Sequence, residues 1–342
     1  MYVGELWEGS TSKMRFNAMC GLCGKVTTID ISPLQTPKAL KRFAGRVAYR
    51  LGFPIDHAAA NRKILDENNK SYDIIWIDTP RFISAKTLIN VRSKHPESFL
   101  ISFIMDDPFP VQGAHWRRFL QAVPYYDLHF VARDKNIPEL RKMGAKHVYR
   151  FYKGFDPKIH RPLTLSPEAP SYDVFFAGRW EQKREADIAL LLRKGVSVTI
   201  AGSSDWKRKG RFWKLIKQSF INGGVYGQDY TMALVSSKIA LCFYSKWNRD
   251  KGNSRMYEVP ACETFMLAER NNENINMFQE GKEAEFFSSQ EELLQKVRYY
   301  LTHSEQRQYI ATAGRERCLR SGYSYRERLK WMLQIACESK EK

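Results

Sequence analysis

A carboxylate and a guanidinium lie three residues apart where a turn is predicted to enter a helix. The stretch 250–262 reads Asp-Lys-Gly-Asn-Ser-Arg-Met-Tyr-Glu-Val-Pro-Ala-Cys. Glu258 could accept two hydrogen bonds from the hydroxyls of a ribose. Arg255, together with the backbone of Asn253 and Ser254, could bind a diphosphate. A nucleotide sugar carries both groups, although a helix capped by one of the two turn residues, with an exposed i,i+3 charge pair, explains the same pattern.

A glycine and three cations form a second candidate phosphate site. Gly178 and Arg179 follow the apolar run Tyr172–Ala177, and Lys183 and Arg184 come shortly after them. A glycine lets a phosphate approach the backbone closely, and arginine and lysine neutralise its charge. Cations at the start of a helix are unfavourable for its dipole unless an anion binds there. The pattern therefore favours a diphosphate ligand over a plain basic helix start.

Three aspartates follow predicted strands, where ligands of parallel sheets bind. Asp106 and Asp107 come after Phe99–Met105, and Asp78 ends the run Tyr72–Asp78. Burial and a neighbouring like charge raise the pKa of a carboxyl group, so one of these residues could be the general base towards an acceptor hydroxyl. An ordinary Asp-Pro turn explains the first two equally well, and Asp78 is the second choice for the role.

A polar turn follows the first predicted strand, Met1–Gly4. Its residues Gly9 and Ser10 are small enough to admit a phosphate or a sugar at the start of the next helix. Serine also caps helices routinely, which explains the turn without any ligand.

Several classes of protein are excluded by motif and composition. The seven histidines form no HExxH motif, and the sequence has neither a Walker A motif nor a GxGxxG with a ribose-binding acid after the first strand. We therefore expect no metal site, no tightly bound cofactor, and neither a kinase nor an ordinary NAD enzyme. Six scattered cysteines indicate a reducing compartment, and the longest apolar run is strand-sized. A cytoplasmic protein is predicted, with any membrane contact peripheral at the inner face.

Strand-like apolar runs alternate with helical patterns in both halves of the chain. This alternation predicts an α/β protein with two Rossmann-like, doubly wound domains that face a central cleft. A proline-rich stretch without either period, Gly154–Pro170, indicates a linker. We divide the chain into an acceptor domain (1–155), a linker (156–170), a nucleotide-sugar-binding domain (171–323) and a C-terminal helix (324–342) that packs back towards the first domain.

Motifs in the second half resemble glycosyltransferases of the GT-B fold, and specifically the group related to spore-maturation glycosyltransferases. The resemblance covers most of the chain. It rests on the turn after the strand that ends at Ala177, the strand end at Gly202, the Gly227 turn and the Arg-x-x-Glu signature. It extends to a C-terminal series that keeps the order and spacing of that group: Phe278–Glu283, Glu291–Leu293, Tyr299–Leu301 and Ala313–Arg315.

This resemblance implies that Glu258 binds the ribose and that Arg255, Arg179 and Arg184 bind the diphosphate. Many retaining relatives carry two glutamates eight positions apart, but an aspartate, Asp250, stands before Glu258 here. The chain also resembles phage DNA beta-glucosyltransferase, an inverting enzyme whose base is an aspartate after the corresponding strand. Asp106 matches that aspartate best, which implies inversion.

A formal net charge of +18 predicts an anionic partner or surface. Cations concentrate in Lys38–Arg50, a predicted amphipathic helix, and in Trp206–Lys217, where they alternate with aromatic residues. The predicted activity is transfer of a hexose from a UDP-sugar or GDP-sugar to a hydroxyl, without a metal. The acceptor is a surface glycan, a lipid-linked intermediate or a protein; the alternatives are a hydroxymethylated DNA base, or a non-catalytic nucleic-acid-binding or scaffold protein.

Overall fold

The computed structural model describes residues 1–32, 47–48, 55–67, 70–109 and 116–341. Nearly all of the predicted basic helix Lys38–Leu51 lies outside these residues. The chain forms two compact units. The first unit comprises Met1–Tyr152, Trp247–Arg249 and Arg326–Lys342, and the second comprises Lys153–Lys246 and Asp250–Tyr325. Two short segments from the second half of the chain thus belong to the first unit.

Six parallel strands form the sheet of the first unit, in the order β2-β1-β3-β4-β5-β6. They are β1 Tyr2–Gly4, β2 Thr28–Asp30, β3 Ile74–Asp78, β4 Phe99–Ile104, β5 Leu128–Val131 and β6 His147–Arg150. All six residues of β4 are buried, as expected for a central parallel strand with both faces covered. From β1 the chain adds β2 on one side, and it then adds β3 to β6 on the other side. The strand order therefore reverses between β1 and β3.

The helices of the first unit cover both faces of this sheet. They are α1 Thr11–Cys20, α2 Ala60–Asp66, α3 Ala85–Lys94, α4 Arg117–Ala122, α5 Asn136–Lys142 and α14 Tyr325–Lys340, whose first residue the second unit includes. The apolar residues Leu329, Met332 and Ala336 recur at helical spacing on α14, and they pack against Trp76 and Phe130 of the sheet.

A second parallel sheet forms the second unit, in the order β12-β11-β10-β7-β8-β9. Its strands are β7 Tyr172–Ala177, β8 Val198–Gly202, β9 Phe220–Asn222, β10 Ser237–Cys242, β11 Phe265–Glu269 and β12 Glu285–Phe287. Its helices are α6 Gln182–Arg193, α7 Asp205–Lys209, α8 Trp213–Ile216, α9 Gly227–Val235, α10 Arg255–Ala261, α11 Asn274–Met277, α12 Gln290–Thr302 and α13 Ser304–Arg320. The strand order reverses between β7 and β10.

Two parallel sheets flanked by helices confirm the predicted α/β fold. The longer elements agree with the sequence pattern, whereas α2, α4, α5, α7, α8, α9, α11, β9 and β12 were not predicted. These elements have nine residues or fewer, so each spans too few periods for a clear amphipathic pattern. None of the helices among the described residues is long and apolar enough to cross a membrane.

The proline-rich segment contains no helix or strand, but it is part of the second unit. Phe155 forms a bridge with Ser324, and the carbonyl of Ile159 accepts a hydrogen bond from Thr231 Oγ1 at 3.1 Å. His160 is buried. This segment is therefore packed onto the second unit over its first residues.

Candidate functional site

The candidate donor site lies at the strand reversal of the second sheet. Strands β7 and β10 are neighbours, with Phe175 opposite Ala240, and the chain leaves their carboxyl ends in opposite directions. Such a reversal opens a crevice beyond the strand ends, where open α/β sheets bind their ligands. The turn after β7 carries Gly178, and the segment after β10 leads to α10, so the two predicted phosphate motifs meet here.

Gly178 lets the side chains of Phe176 and Arg255 lie close to the backbone because it has no side chain of its own. A Cβ at this position would lie 2.7 Å from Cζ of Phe176 and 3.3 Å from Nη2 of Arg255. The guanidinium of Arg255 lies 5.9 Å from the centre of the Phe176 ring, and that of Arg184 lies 6.0 Å from it. Two cations therefore flank one aromatic ring at the end of β7.

Asn253 connects β10 to α10, and its side chain serves as a helix cap. Its Nδ2 donates to the carbonyl of Phe243 at 2.9 Å, and its Oδ1 accepts from the backbone N–H of Met256 at 3.2 Å. The binding of a phosphate by the backbone of Asn253 and Ser254 stays a prediction. Ser254 begins the same turn, and its carbonyl accepts from the backbone N–H of Glu258 at 2.9 Å.

Glu258 is a buried carboxylate without a hydrogen-bond donor among the described residues. The residue is 6% exposed, and Nε2 of His160 lies 3.9 Å from its Oε1, beyond hydrogen-bonding distance. Burial raises the pKa of Glu258 to about 7, although Arg255 and Lys153 act in the opposite direction. Burial of this kind excludes the alternative of an exposed i,i+3 ion pair. A buried acceptor without donors is typical of a ligand site.

Arg255 is half-buried and forms no hydrogen bond or ion pair with any residue that the structure describes. Arg179 is exposed at the same turn as Gly178. Guanidinium groups in such positions can bind a diphosphate through two parallel N–H···O bonds. Arg255 and Glu258 thus present one cation and one anion from the same helix, each available to a ligand.

Two other cations predicted for the diphosphate already have carboxylate partners. Lys183 Nζ lies 2.7 Å from Asp187 Oδ2 and 2.8 Å from Glu269 Oε1. Burial alone would lower the pKa of Lys183, but these hydrogen bonds raise it. Arg184 pairs with Glu181 at 3.0 Å and donates to the carbonyl of Arg179 at 3.0 Å. These carboxylates hold both cations at the turn, and the binding of a diphosphate by Lys183 and Arg184 stays a prediction.

His160 was not predicted as part of this site. Its Nδ1 accepts a hydrogen bond from the backbone N–H of Asp156 at 3.1 Å, so Nε2 carries the proton on the side of Glu258. Burial lowers the pKa of His160 to about 4, which keeps the ring neutral. The only sequence signal was a histidine in an otherwise irregular segment, and that signal is weak.

Gly227 is the first residue of α9 and has a positive φ of 54°. Side-chain-bearing residues rarely adopt this conformation, which explains the glycine in local terms. Its predicted contact with the nucleotide stays a prediction.

In the first unit, Asp78 forms a buried ion pair. Arg15 Nε donates to Oδ2 at 2.8 Å, Arg15 Nη2 donates to Oδ1 at 3.1 Å, and Tyr2 Oη donates to Oδ2 at 2.6 Å. Asp78 is fully buried. A carboxylate held by both oxygens cannot readily take a proton from a substrate. We therefore do not assign Asp78 as the base.

Ser10 caps α1. Its Oγ donates to the carbonyl of Glu5 at 2.7 Å and accepts from the backbone N–H of Lys13 at 3.1 Å. Gly9 precedes it with a φ of 85°, which favours glycine. Both residues therefore have a local structural explanation, and the O–H of Ser10 is already donated within the turn.

Replacing Ser10 with alanine is expected to lower the free energy of unfolding by about 1 kcal/mol, the usual cost of losing a serine cap. The affinity for UDP should not change. Thermal unfolding and calorimetric titration with UDP measure the two effects, and Ser10→Asp serves as the control that restores a cap. Weaker UDP binding by a stable Ser10→Ala protein would contradict the assignment.

Asp107 is held by four hydrogen bonds. Arg249 donates to both of its oxygens, Asn136 Nδ2 donates to Oδ1 at 2.9 Å, and the N–H of Phe109 donates to Oδ1 at 3.1 Å. Burial alone would raise the pKa of Asp107, but Arg249 and the other donors lower it below its usual range. Donors to both oxygens favour the ionised form of Asp107 and compete with an acceptor hydroxyl, so we do not assign it as the base.

Asp106 remains as the candidate base. It is exposed, unlike its neighbour, and its Oδ1 accepts a hydrogen bond from Asn248 Nδ2 at 2.9 Å. The donor comes from the segment Trp247–Arg249, which is remote in sequence but belongs to the first unit. Within the described ranges, no cluster of three or more His, Cys, Asp or Glu side chains could hold a metal ion.

Residues 184–334 match the model of a family described as glycosyl transferase-like. A search of curated protein sequences gave no match. Among solved structures, Anabaena HepE in complex with UDP and glucose has a TM-score of 0.64 at 11% identity, covering 98% of this chain and 99% of HepE.

Two further structures have the same architecture. A glycosyltransferase from Rickettsia africae has a TM-score of 0.60 at 13% identity, over 99% of this chain and 97% of its own. Sucrose-phosphate synthase from Thermosynechococcus elongatus has a TM-score of 0.60 at 13% identity, over 91% and 82%. The chain therefore has the two-domain GT-B fold. The family match covers less than half of the chain.

Proposed function

We propose that the protein transfers a hexose from a UDP-sugar to an acceptor hydroxyl with inversion at the anomeric carbon. The observation that carries the proposal is the pair of unpartnered charges on α10. Glu258 would accept hydrogen bonds from the ribose hydroxyls, and Arg255 with Arg179 would bind the diphosphate. HepE, which shares the fold, was solved with UDP-glucose, and this supports uridine as the base.

Asp106 would act as the general base in this reaction. Its carboxylate removes the proton from the acceptor hydroxyl while the hydroxyl oxygen attacks the anomeric carbon. The bond between that carbon and the β-phosphate oxygen breaks, and UDP leaves with the bonding electrons. Arg255 and Arg179 would stabilise the charge on the leaving diphosphate, which supports a reaction without a metal. Phage DNA beta-glucosyltransferase remains the analogue for this role of an aspartate.

A catalytic protein is favoured over a non-catalytic scaffold. A scaffold would have no need to keep a buried carboxylate without donors, because such a group destabilises the folded state. The motif series in the second half supports a relation to the spore-maturation glycosyltransferases. We place the reaction in the cytoplasm, where nucleotide sugars would be the donors.

Replacing Arg255 with glutamine is expected to weaken UDP binding roughly 10- to 100-fold, because a hydrogen bond to a charged group contributes about 1.5–3 kcal/mol. Calorimetric titration with UDP measures the effect. Arg62→Gln is the matched control, since Arg62 lies on the exposed surface of the first unit and pairs only loosely with Asp66, at 3.5 Å. Equal UDP affinity of the Arg255→Gln and Arg62→Gln proteins would reject the proposed donor site.

A further inference from the structure

Trp247 is the most exposed of the eight tryptophans in the chain. It is 60% exposed, compared with 42% for Trp331 and 38% for Trp7. An exposed indole offers a ligand a large flat apolar face together with an N–H donor. Trp247 begins the segment Trp247–Arg249, which belongs to the first unit although the chain on either side of it belongs to the second.

Arg249 anchors this segment to the first unit. Its guanidinium donates to Asp107 Oδ1 at 2.8 Å and to both oxygens of Glu139 at 2.8 Å. Arg133 also donates to the carbonyl of Asn248. Arg249 adopts a positive φ of 46°, a strained conformation that persists only where the surroundings hold it. The segment is therefore fixed rather than a loose loop.

Asn248 connects this anchor to the candidate base. Its Oδ1 accepts from the backbone N–H of Asp107 at 3.0 Å, which orients Nδ2 towards Asp106 at 2.9 Å. Trp247 is the preceding residue, and successive Cα atoms are about 3.8 Å apart. The exposed indole thus belongs to the residue directly before Asn248, whose side chain contacts Asp106.

We propose that Trp247 is the stacking platform for the acceptor, and that the acceptor is an uncharged sugar. This inference rests on the proposed function of Asp106. The face of an indole ring is electron-rich, and the C–H groups on one side of a sugar ring carry a small positive charge. A sugar stacked on Trp247 would bring its hydroxyls into the neighbourhood of Asp106, the group that removes the proton.

The local charges favour an uncharged acceptor over a polyanion. Among the described residues, the hydrogen bonds around the segment Trp247–Arg249 involve three carboxylates and two guanidiniums. The carboxylates are those of Asp106, Asp107 and Glu139, and the guanidiniums are those of Arg133 and Arg249. Arg249 is already shared between two of the carboxylates. A DNA backbone needs cations that it can pair with its phosphates.

The test measures binding of the full-length protein to immobilised neutral oligosaccharides, to anionic oligosaccharides and to duplex DNA, with UDP present. We expect binding to neutral oligosaccharides that becomes at least roughly tenfold weaker in Trp247→Ala and is kept in Trp247→Phe, because stacking needs an aromatic face. Trp331→Ala is the control and should bind normally, since Trp331 is a partly exposed tryptophan on α14 of the same unit.

Retention of sugar binding by Trp247→Ala would overturn the inference. So would wild-type binding to anionic ligands or DNA alone, or no binding to any oligosaccharide. Calorimetric titration with UDP is run on every variant and separates this inference from the donor site. If the wild type does not bind UDP, the proposed function fails, whereas normal UDP binding with unaltered sugar binding in Trp247→Ala rejects only the platform.

Discussion

Replacing Glu258 with glutamine should stabilise the protein at pH 8 and weaken its binding of UDP at the same pH. The carboxylate is buried without a hydrogen-bond donor among the described residues, and its pKa is raised from 4.5 to about 7. Glutamine has nearly the same shape and no charge to bury. Because Glu258 accepts no hydrogen bond from a described residue, none is lost on substitution, and the fold should tolerate the glutamine.

The sign follows from linkage between folding and proton binding. The folded protein holds the proton of Glu258 up to about pH 7, whereas the unfolded chain loses it near pH 4.5. The wild type therefore loses stability as the pH rises from about 4.5 to about 7. A pKa difference of this size corresponds to about 3 kcal/mol. The gain of Glu258→Gln over the wild type should be absent at pH 4.5 and complete at pH 8.

Chemical unfolding at the two pH values measures the stability, and calorimetric titration with UDP measures the affinity. The affinity should fall at least roughly tenfold, because a neutral amide accepts weaker hydrogen bonds from the ribose hydroxyls than a carboxylate does. Glu305→Gln is the control, since Glu305 is exposed on α13 of the same unit. A stability gain that is equal at both pH values would show that the carboxyl group is not the cause.

Asp106→Asn is expected to reduce turnover by roughly 10²- to 10⁴-fold, the usual contribution of a general base. The asparagine can still accept the hydrogen bond from Asn248 Nδ2, so the structure around it should be kept. UDP affinity should not change, because the donor residues lie in the second unit. Product formation is measured by release of UDP with an acceptor that the wild type uses.

Asp66→Asn controls for the loss of an exposed carboxylate in the same unit. Nuclear magnetic resonance of the product gives the configuration at the anomeric carbon. Full turnover by Asp106→Asn would remove Asp106 from the mechanism. A product with the configuration of the donor would contradict an inverting reaction whatever the rate.

Much of the architecture could be predicted from the sequence because it depends on short-range patterns. The apolar run that forms β4 is buried throughout, and so are the last four residues of Tyr172–Ala177. A strand buried on both faces can be predicted from its own sequence, without knowledge of its neighbours. Helix α14 was predicted in the same way from its apolar spacing. The Arg-x-x-Glu signature was also a local pattern, and its place after a strand made it a candidate nucleotide site.

The tertiary structure alone decided which charged residues have partners. Asp78 and Asp106 look alike in the sequence. In the structure, Asp78 is paired with Arg15, which is 63 residues away, whereas Asp106 is exposed and accepts a hydrogen bond from Asn248. Lys183 likewise has Glu269 as a partner, while Arg255 has none among the described residues. Pairing depends on contacts between distant parts of the chain, which a local pattern does not contain.

Residue types and spacing therefore determined the α/β fold and the donor motif in this protein. The folded arrangement decided that Glu258 is a buried acceptor, that Asp107 is held by Arg249, and that Asn248 contacts Asp106 across 142 residues of sequence. The physical reason is that the chemistry of a carboxylate depends on its burial and its donors, and both arise only when remote segments pack together.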